Sequence, residues 1–380
     1  MRRPAPRWPR GPAAALAAVL LGCAAVPHPP AAGPALAPSP APAPPRPAEL
    51  AFPPEEVKVS PVELELAGKN DEELLAIGSA AFEAGDFRRA AAAFARLADL
   101  SPASPHQAAA LFDAGLAYER LEEWRLALER FRALEGRFEG PDALEASFKA
   151  AECLYHLGER PEARAALDAI ARRPLLPAGD RIRALAQRGV VELEQGAAED
   201  AERTFRLALS LWQSGSEEER LDPYYAAQAQ YYLGEVYRGW FQALPLDPSL
   251  GDEERLRQDL EHKAEMLLSA QGHYLRAIRM GEDRWAVGAG FRIGELYDEL
   301  RRQLLEAPLP PGLDDEHAQA YRTELRQRVR VLAAKAITAY EQTLSRAARS
   351  GVDDLRFLGD AQASLARLRQ ALAEDARPGS

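Results

Sequence analysis

Three kinds of residue recur along this chain in one long rhythm. A small residue stands at Gly78, Gly115, Ala151 and Gly189, an alanine at Ala90, Ala127, Ala163 and Ala201, and a large apolar residue four places later at Phe94, Phe131, Leu167 and Phe205. Within each set the step is about 37 residues, a length typical of helical-hairpin repeats. Isolated amphipathic helices would show a 3.6-residue rhythm and no longer one, so three positions sharing a period mark a repeated structural unit. Of the 380 residues, those that carry the period therefore read as one stacked array with a shared core, rather than two or three independent domains.

Residues 74 to 102 are the clearest copy and read as two short amphipathic helices joined by the Gly85-Asp86 turn and closed by Pro102. Leu74, Ile77, Gly78, Phe82, Gly85, Asp86, Phe87, Ala90, Phe94 and Pro102 resemble the tetratricopeptide repeat at that family's spacings, with Leu97 where the family prefers alanine. The resemblance implies an all-α, right-handed solenoid of about six helical hairpins plus a capping C-terminal helix, some thirteen helices in all. Four regular repeats are expected over residues 72–215. A small residue at Gly78 or Ala90 lets paired helices approach, and Phe94 fills the gap to the next helix, so these positions read as core.

Over residues 220–350 the unit enlarges. Tyr231 to Tyr237 and Phe291 to Tyr297 both read as first helices, with glycines at Gly234 and Gly294. The second-helix signature returns only at Ala270 with Tyr274, and at Ala336 with Tyr340. Insertions of about 24 and 30 residues, each containing a proline-rich break, are expected to lengthen the second helix of two enlarged repeats and project beyond the solenoid. A helix over residues 353–375, started by Asp353 or Asp354, would cap the stack.

The segment 1–22 carries four arginines and no acid, the arginines standing ahead of the apolar run Ala13 to Leu21. Nine residues are too few to span a bilayer and suit a signal peptide. Leu20-Leu21-Gly22-Cys23 resembles the lipobox of bacterial lipoproteins, which implies cleavage between Gly22 and Cys23 and acylation of Cys23. Ala24, where an aspartate often marks inner-membrane retention in that family, favours the outer membrane, with the inner membrane as the alternative. Residues 23–54 hold twelve prolines and read as an extended spacer reaching on the order of 95 Å.

The charge is −11, which disfavours nucleic acid as a partner. With two cysteines, Cys23 and Cys153, a disulfide framework is excluded. Gly288-Ala-Gly290-Phe-Arg-Ile-Gly294 has the wrong spacing for a dinucleotide loop and no preceding strand. His262, Glu265 and His273 fall short of a metal-ligand set, and Cys153 has only His156 as a neighbouring base. No cofactor, metal or catalytic residue is expected. The aromatic group of residues 224–241 is denser than a helix pair needs, which makes Tyr231, Tyr237 and Trp240 candidate partner-binding residues. The expected function is a non-enzymatic scaffold joining envelope proteins at the periplasmic face of the outer membrane. The alternatives are a passive tether to peptidoglycan and a wall-active enzyme with a repeat platform.

Overall fold

The computed structural model describes residues 61–215, 222–247, 253–352 and 355–374. The expected signal peptide, Gly22, Cys23, the proline-rich spacer and the capping Asp353 and Asp354 lie outside the described residues. Among the described residues there are fourteen helices and no strand.

A short α1 (Pro61–Leu66) precedes four hairpins of similar size: α2 (Asp71–Glu83) with α3 (Phe87–Leu100), α4 (Gln107–Arg120) with α5 (Trp124–Arg137), α6 (Pro141–His156) with α7 (Arg160–Ala171), and α8 (Ala178–Glu194) with α9 (Ala198–Ser214). Two long hairpins follow, α10 (Tyr224–Ala243) with α11 (Glu253–Arg279) and α12 (Asp283–Glu306) with α13 (Asp315–Ser350), and α14 (Leu355–Glu374) ends the stack. From α2 onward each helix packs on its successor. The molecule is an all-α solenoid.

The repeated residues explain the hairpins physically. A methyl group added at Gly78, Gly115, Gly189 or Gly294 would fall 2.5 to 2.6 Å from the ring of Phe94, Phe131, Phe205 or Tyr340, and at Gly234 it would strike Tyr274. No real side chain tolerates that distance, so the glycine is the floor of a slot for an aromatic ring from the facing helix. The third hairpin solves the same problem differently. Ala151 brings the methyl, Leu167 replaces the ring, and both are fully buried.

The turns inside hairpins share another demand. Gly85, Gly158 and Gly196 all have positive φ of 78 to 80°, and the equivalent place in the second hairpin holds Glu122 at φ 60°. A side chain there costs roughly 1 to 2 kcal/mol. Polar caps then start the second helices: Asp86 Oδ1 accepts from the Arg89 amide at 3.2 Å, and Asp314 Oδ1 accepts from the His317 amide at 2.9 Å.

Two features go beyond the expected plan. Short α1 precedes the first repeat; only Leu66 of this helix is buried, and Glu65 pairs with Arg89 on α3. The insertions also lengthen both helices of each enlarged hairpin. First helices of the regular repeats end five residues after the small-residue position, whereas α10 runs nine past Gly234 and α12 twelve past Gly294. Second helices start three residues before their alanine in the regular repeats, but α11 starts 17 before Ala270 and α13 starts 21 before Ala336. The added 14 and 18 residues lengthen α11 and α13 by roughly 21 and 27 Å. Both therefore overshoot their partners.

Lys263 holds the first overshoot in place. Its side chain is fully buried on α11, and its Nζ donates to the carbonyls of Phe241, at 2.6 Å, and Leu244, while lying 4.4 Å from the Phe241 ring centroid. The end of α10 leaves carbonyls without helical partners and a partial negative charge, which a buried ammonium satisfies. Burial, partly offset by Glu299, lowers its pKa from the ordinary lysine value.

Candidate protein-binding surfaces

First helices neighbour one another across the array, α4 with α6, α8 with α10, α10 with α12 and α12 with α14, while the second helices make no comparable contact. The first-helix row is thus the tighter, inner wall. Ion pairs between successive repeats line it. Lys149 on α6 donates to Glu119 on α4 at 2.9 Å and to Glu152 at 3.0 Å. Arg183 on α8 donates to Glu145 on α6 at 3.0 Å and lies 3.8 Å from the Phe148 ring centroid. Arg292 on α12 pairs with Glu235 on α10 at 3.1 Å.

The electrostatics show how closed these pairs are. Burial disfavours the Lys149 ammonium, but Glu152 and Glu119 outweigh it and raise its pKa. Burial, followed by the charge of Glu152, raises Glu119 above the ordinary glutamate range. Removing one partner of such a buried pair strands the other charge and costs about 3 to 5 kcal/mol. This stretch of wall therefore uses its charges internally. Farther along, a cleft of 580 Å³ opens between α10, α12, α13 and α14, with Arg238, Arg301, Arg367, Glu295, Asp298 and Asp360 among its lining. Its charges are mixed.

The three candidate aromatics do not form one surface. Tyr231 is only 6% exposed and packs against Tyr232, Tyr274 and Trp285, its hydroxyl accepting from Arg292 at 3.2 Å. That placement makes it core, and the reading of its ring as a partner anchor is corrected. Tyr237 and Trp240 are half-buried on another side of α10. The Tyr237 hydroxyl donates to Glu202 at 2.6 Å and accepts from Arg206 at 2.8 Å, and its ring stacks on His273 with centroids 5.3 Å apart. Six residues along a helix turn the side chain by about 120°, which separates Tyr231 from Tyr237.

The residues weighed for chemistry are dispersed. His262 is exposed, whereas His273 is buried with Nδ1 2.9 Å from Gln230 Oε1. Burial, reinforced by Arg276 and Arg206, lowers the His273 pKa to about 4. Cys153 is buried, and desolvation, with Glu119 and Glu152 nearby, pushes its thiol far above the usual range. Gly288 and Gly290 are helix-packing positions, an added methyl falling 3.2 Å from the Tyr231 ring at Gly288 and against Thr343 Oγ1 at Gly290.

Sequence reasoning missed the outer edge of α11. Leu256, Leu260 and Ala264 line a shallow apolar groove of 380 Å³ beside Arg257 and Glu261, and Leu268, one turn on, is 60% exposed. The i, i+4 spacing of these residues was legible as a second apolar stripe. Its exposure was not, because exposure depends on how far α11 outruns α10.

The tetratricopeptide-repeat family profile matches residues 75–124 and 112–180, a span that holds the first three hairpins. No curated protein sequence matches the chain. Among solved structures, the apo form of RapI is similar at 10% identity, with 80% of this chain and 99% of that chain covered and a TM-score of 0.43. A tetratricopeptide repeat protein from Parabacteroides merdae is 15% identical, with coverage of 79% and 98% and a TM-score of 0.37. YrrB, described as a tetratricopeptide protein with an unusual peptide-binding site, is 18% identical, with coverage of 55% and 89% and a TM-score of 0.35.

Proposed function

We propose that this tetratricopeptide-type solenoid is a lipid-anchored scaffold at the periplasmic face of the outer membrane, where it holds other envelope proteins together. The observation that carries the scaffold reading is the change of hairpin size. Six hairpins share a stacked architecture, yet the last two project helices roughly 21 and 27 Å longer than stacking requires. Ordering that much extra helix costs conformational entropy, and the exposed tips return little of it through burial. Extra surface is what a scaffold gains from it.

The anchoring reading rests on the basic leader, its apolar core and the Leu20-Leu21-Gly22-Cys23 run. No helix among the described residues is long and apolar enough to cross a membrane. In this reading an acylated Cys23 makes the membrane contact, and several acyl chains suffice for stable anchoring. The scaffold carries no catalytic step in this reading, and Cys153, buried with its pKa raised, is a packing residue.

The test is crosslinking in intact cells with two variants. In Cys23→Ser the protein should leave the membrane fraction; membrane retention would sink the anchor. In the second variant residues 300–329 are removed together with Val331→Gly and Leu332→Asp, which restores the regular distance between Gly294 and Tyr340 and a turn like Gly85-Asp86 without touching their slot. Loss of crosslinked proteins at unchanged helicity supports the scaffold reading, and an unaltered crosslinking pattern refutes the role given to the last hairpin.

A further inference from the structure

The projecting part of α13 differs electrically from the rest of the chain. The protein carries a net charge of −11, yet residues 320–335 contain Arg322, Arg326, Arg328, Arg330 and Lys335 against the single acid Glu324. Two of these cations have partners: Arg328 pairs with Glu324, and Lys335 Nζ lies 5.0 Å from the Tyr297 ring centroid. Arg322, Arg326 and Arg330 are exposed and make no ion pair or hydrogen bond among the described residues.

Their four-residue spacing places the three guanidiniums on one side of the helix, about 6 Å apart along its axis. Like charges at this spacing destabilise the helix that carries them, and no carboxylate among the described residues pairs with them to offset the cost. The same side borders the buried stripe of Ala318, Val329 and Ala333. Continuing around the helix come Ala320, Thr323, Gln327, Val331 and Ala334, all exposed and none acidic, with Val331 at 56% exposure. Small uncharged neighbours allow another helix to come close.

We infer that this face of α13 docks an acidic helix of a partner protein, with carboxylates at i, i+4 and i+8 opposite Arg322, Arg326 and Arg330 and an apolar residue against Val331. A partner helix repeats its carboxylates at the same rise per four residues, so the two ladders match without distortion. Arginine, with its planar fork of donors, suits carboxylates in a way lysine does not. An anionic lipid surface offers the same charge, but it would have to accept a protein whose overall charge repels it. The inference rests on the scaffold reading and adds the chemistry of the partner.

The test uses the full chain and a labelled 20-residue helical peptide with glutamates at i, i+4 and i+8 beside leucine and alanine, followed by fluorescence anisotropy. Exchanging the three arginines for glutamine (R322Q, R326Q, R330Q) should weaken binding about tenfold, since three exposed pairs together are worth about that much. Affinity should fall with salt. Exchanging them for glutamate should abolish binding, and a peptide with lysines in place of its glutamates should restore it. Circular dichroism serves as the folding control, which the exposed positions should leave unchanged. Equal binding of a scrambled peptide, or an unchanged affinity in the glutamine variant, overturns the inference. So does arginine-dependent binding to phosphatidylglycerol vesicles in place of the peptide. If the glutamine variant keeps all of its crosslinked proteins in cells while removal of residues 300–329 loses them, the scaffold reading stands and this inference alone fails.

Discussion

The four regular hairpins and the two enlarged ones share one packing rule and differ in what they do with the surface left over. In the first group the charged residues of the inner wall bond across repeats, as Lys149 does with Glu119 and Arg183 with Glu145. In the second group the same slot of glycine and ring closes the stack at Gly234 and Gly294, but α11 and α13 continue past it and present Leu268, Val331 and three unpaired arginines to solvent. Holding the array together and presenting surface are thus separable tasks. The slot does the first in both halves, and the overshoot does the second in one.

If the slot is the common element, emptying it should cost the same at either end. Phe131→Ala and Tyr340→Ala should each lose about 4 kcal/mol in denaturant unfolding, whereas removing residues 300–329 should cost much less. Unequal losses at the two slots would break the comparison.

The next difference is pH-dependent. His273, on α11 and packed against Gln230 and Tyr237 of α10, has a pKa lowered to about 4 by burial. The native state therefore favours its neutral form. Its contribution is complete above the ordinary histidine value near 6.5 and is lost as pH falls toward 4, by on the order of 3 kcal/mol. Hydrogen exchange at pH 4.5 should show α10 and α11 opening before α2 to α7, and His273→Gln should reduce that gap.

Lys263→Met should cost about 2 kcal/mol, because the carbonyls of Phe241 and Leu244 lose their buried donor. Proteolysis should then concentrate at the tip around residues 244–262 and spare the slot. In the third hairpin, Leu167→Phe alone should destabilise by about 1 to 3 kcal/mol through overpacking against the Ala151 methyl. Adding Ala151→Gly should recover most of that loss; additive losses in the double-mutant cycle would mean that the slot does not govern this hairpin. The smallest effect is a gain. Glu122→Gly relieves a left-handed side chain and should raise stability by roughly 0.5 to 1 kcal/mol, read as a shift in unfolding midpoint.

Much of the packing was legible because a slot needs two residues at fixed spacing, and both members leave a mark in the chain. Gly78 with Phe94 and Gly115 with Phe131 stand at one and the same separation, and the larger separations of Gly234 from Tyr274 and Gly294 from Tyr340 reveal the size of the inserts. How each insert divides between helix and loop was not legible, since the residues after Gly234 and before Ala270 favour helix on both sides of the proline break. Tyr231 illustrates a second limit. Its helix position was clear, but whether its ring met solvent depended on Trp285 and Arg292 from α12, far along the chain. Short α1 has no repeat position of its own to mark it, and its contact with α3 lies 20 or more residues along the chain.

By itself the sequence determined the all-helical class, the repeat and the pairing of small residue with ring, because these are set by local periodicity and steric volume. Tertiary structure alone decided which side chains on a helix face outward and which charges find partners. Arg183 and Arg322 have the same chemistry, and of the two only Arg183 has a carboxylate from a neighbouring repeat within reach among the described residues. Burial and pairing are properties of neighbours distant in the chain. That is why the distinctive surface of this protein appears only where two helices outrun the stack that fixes the others.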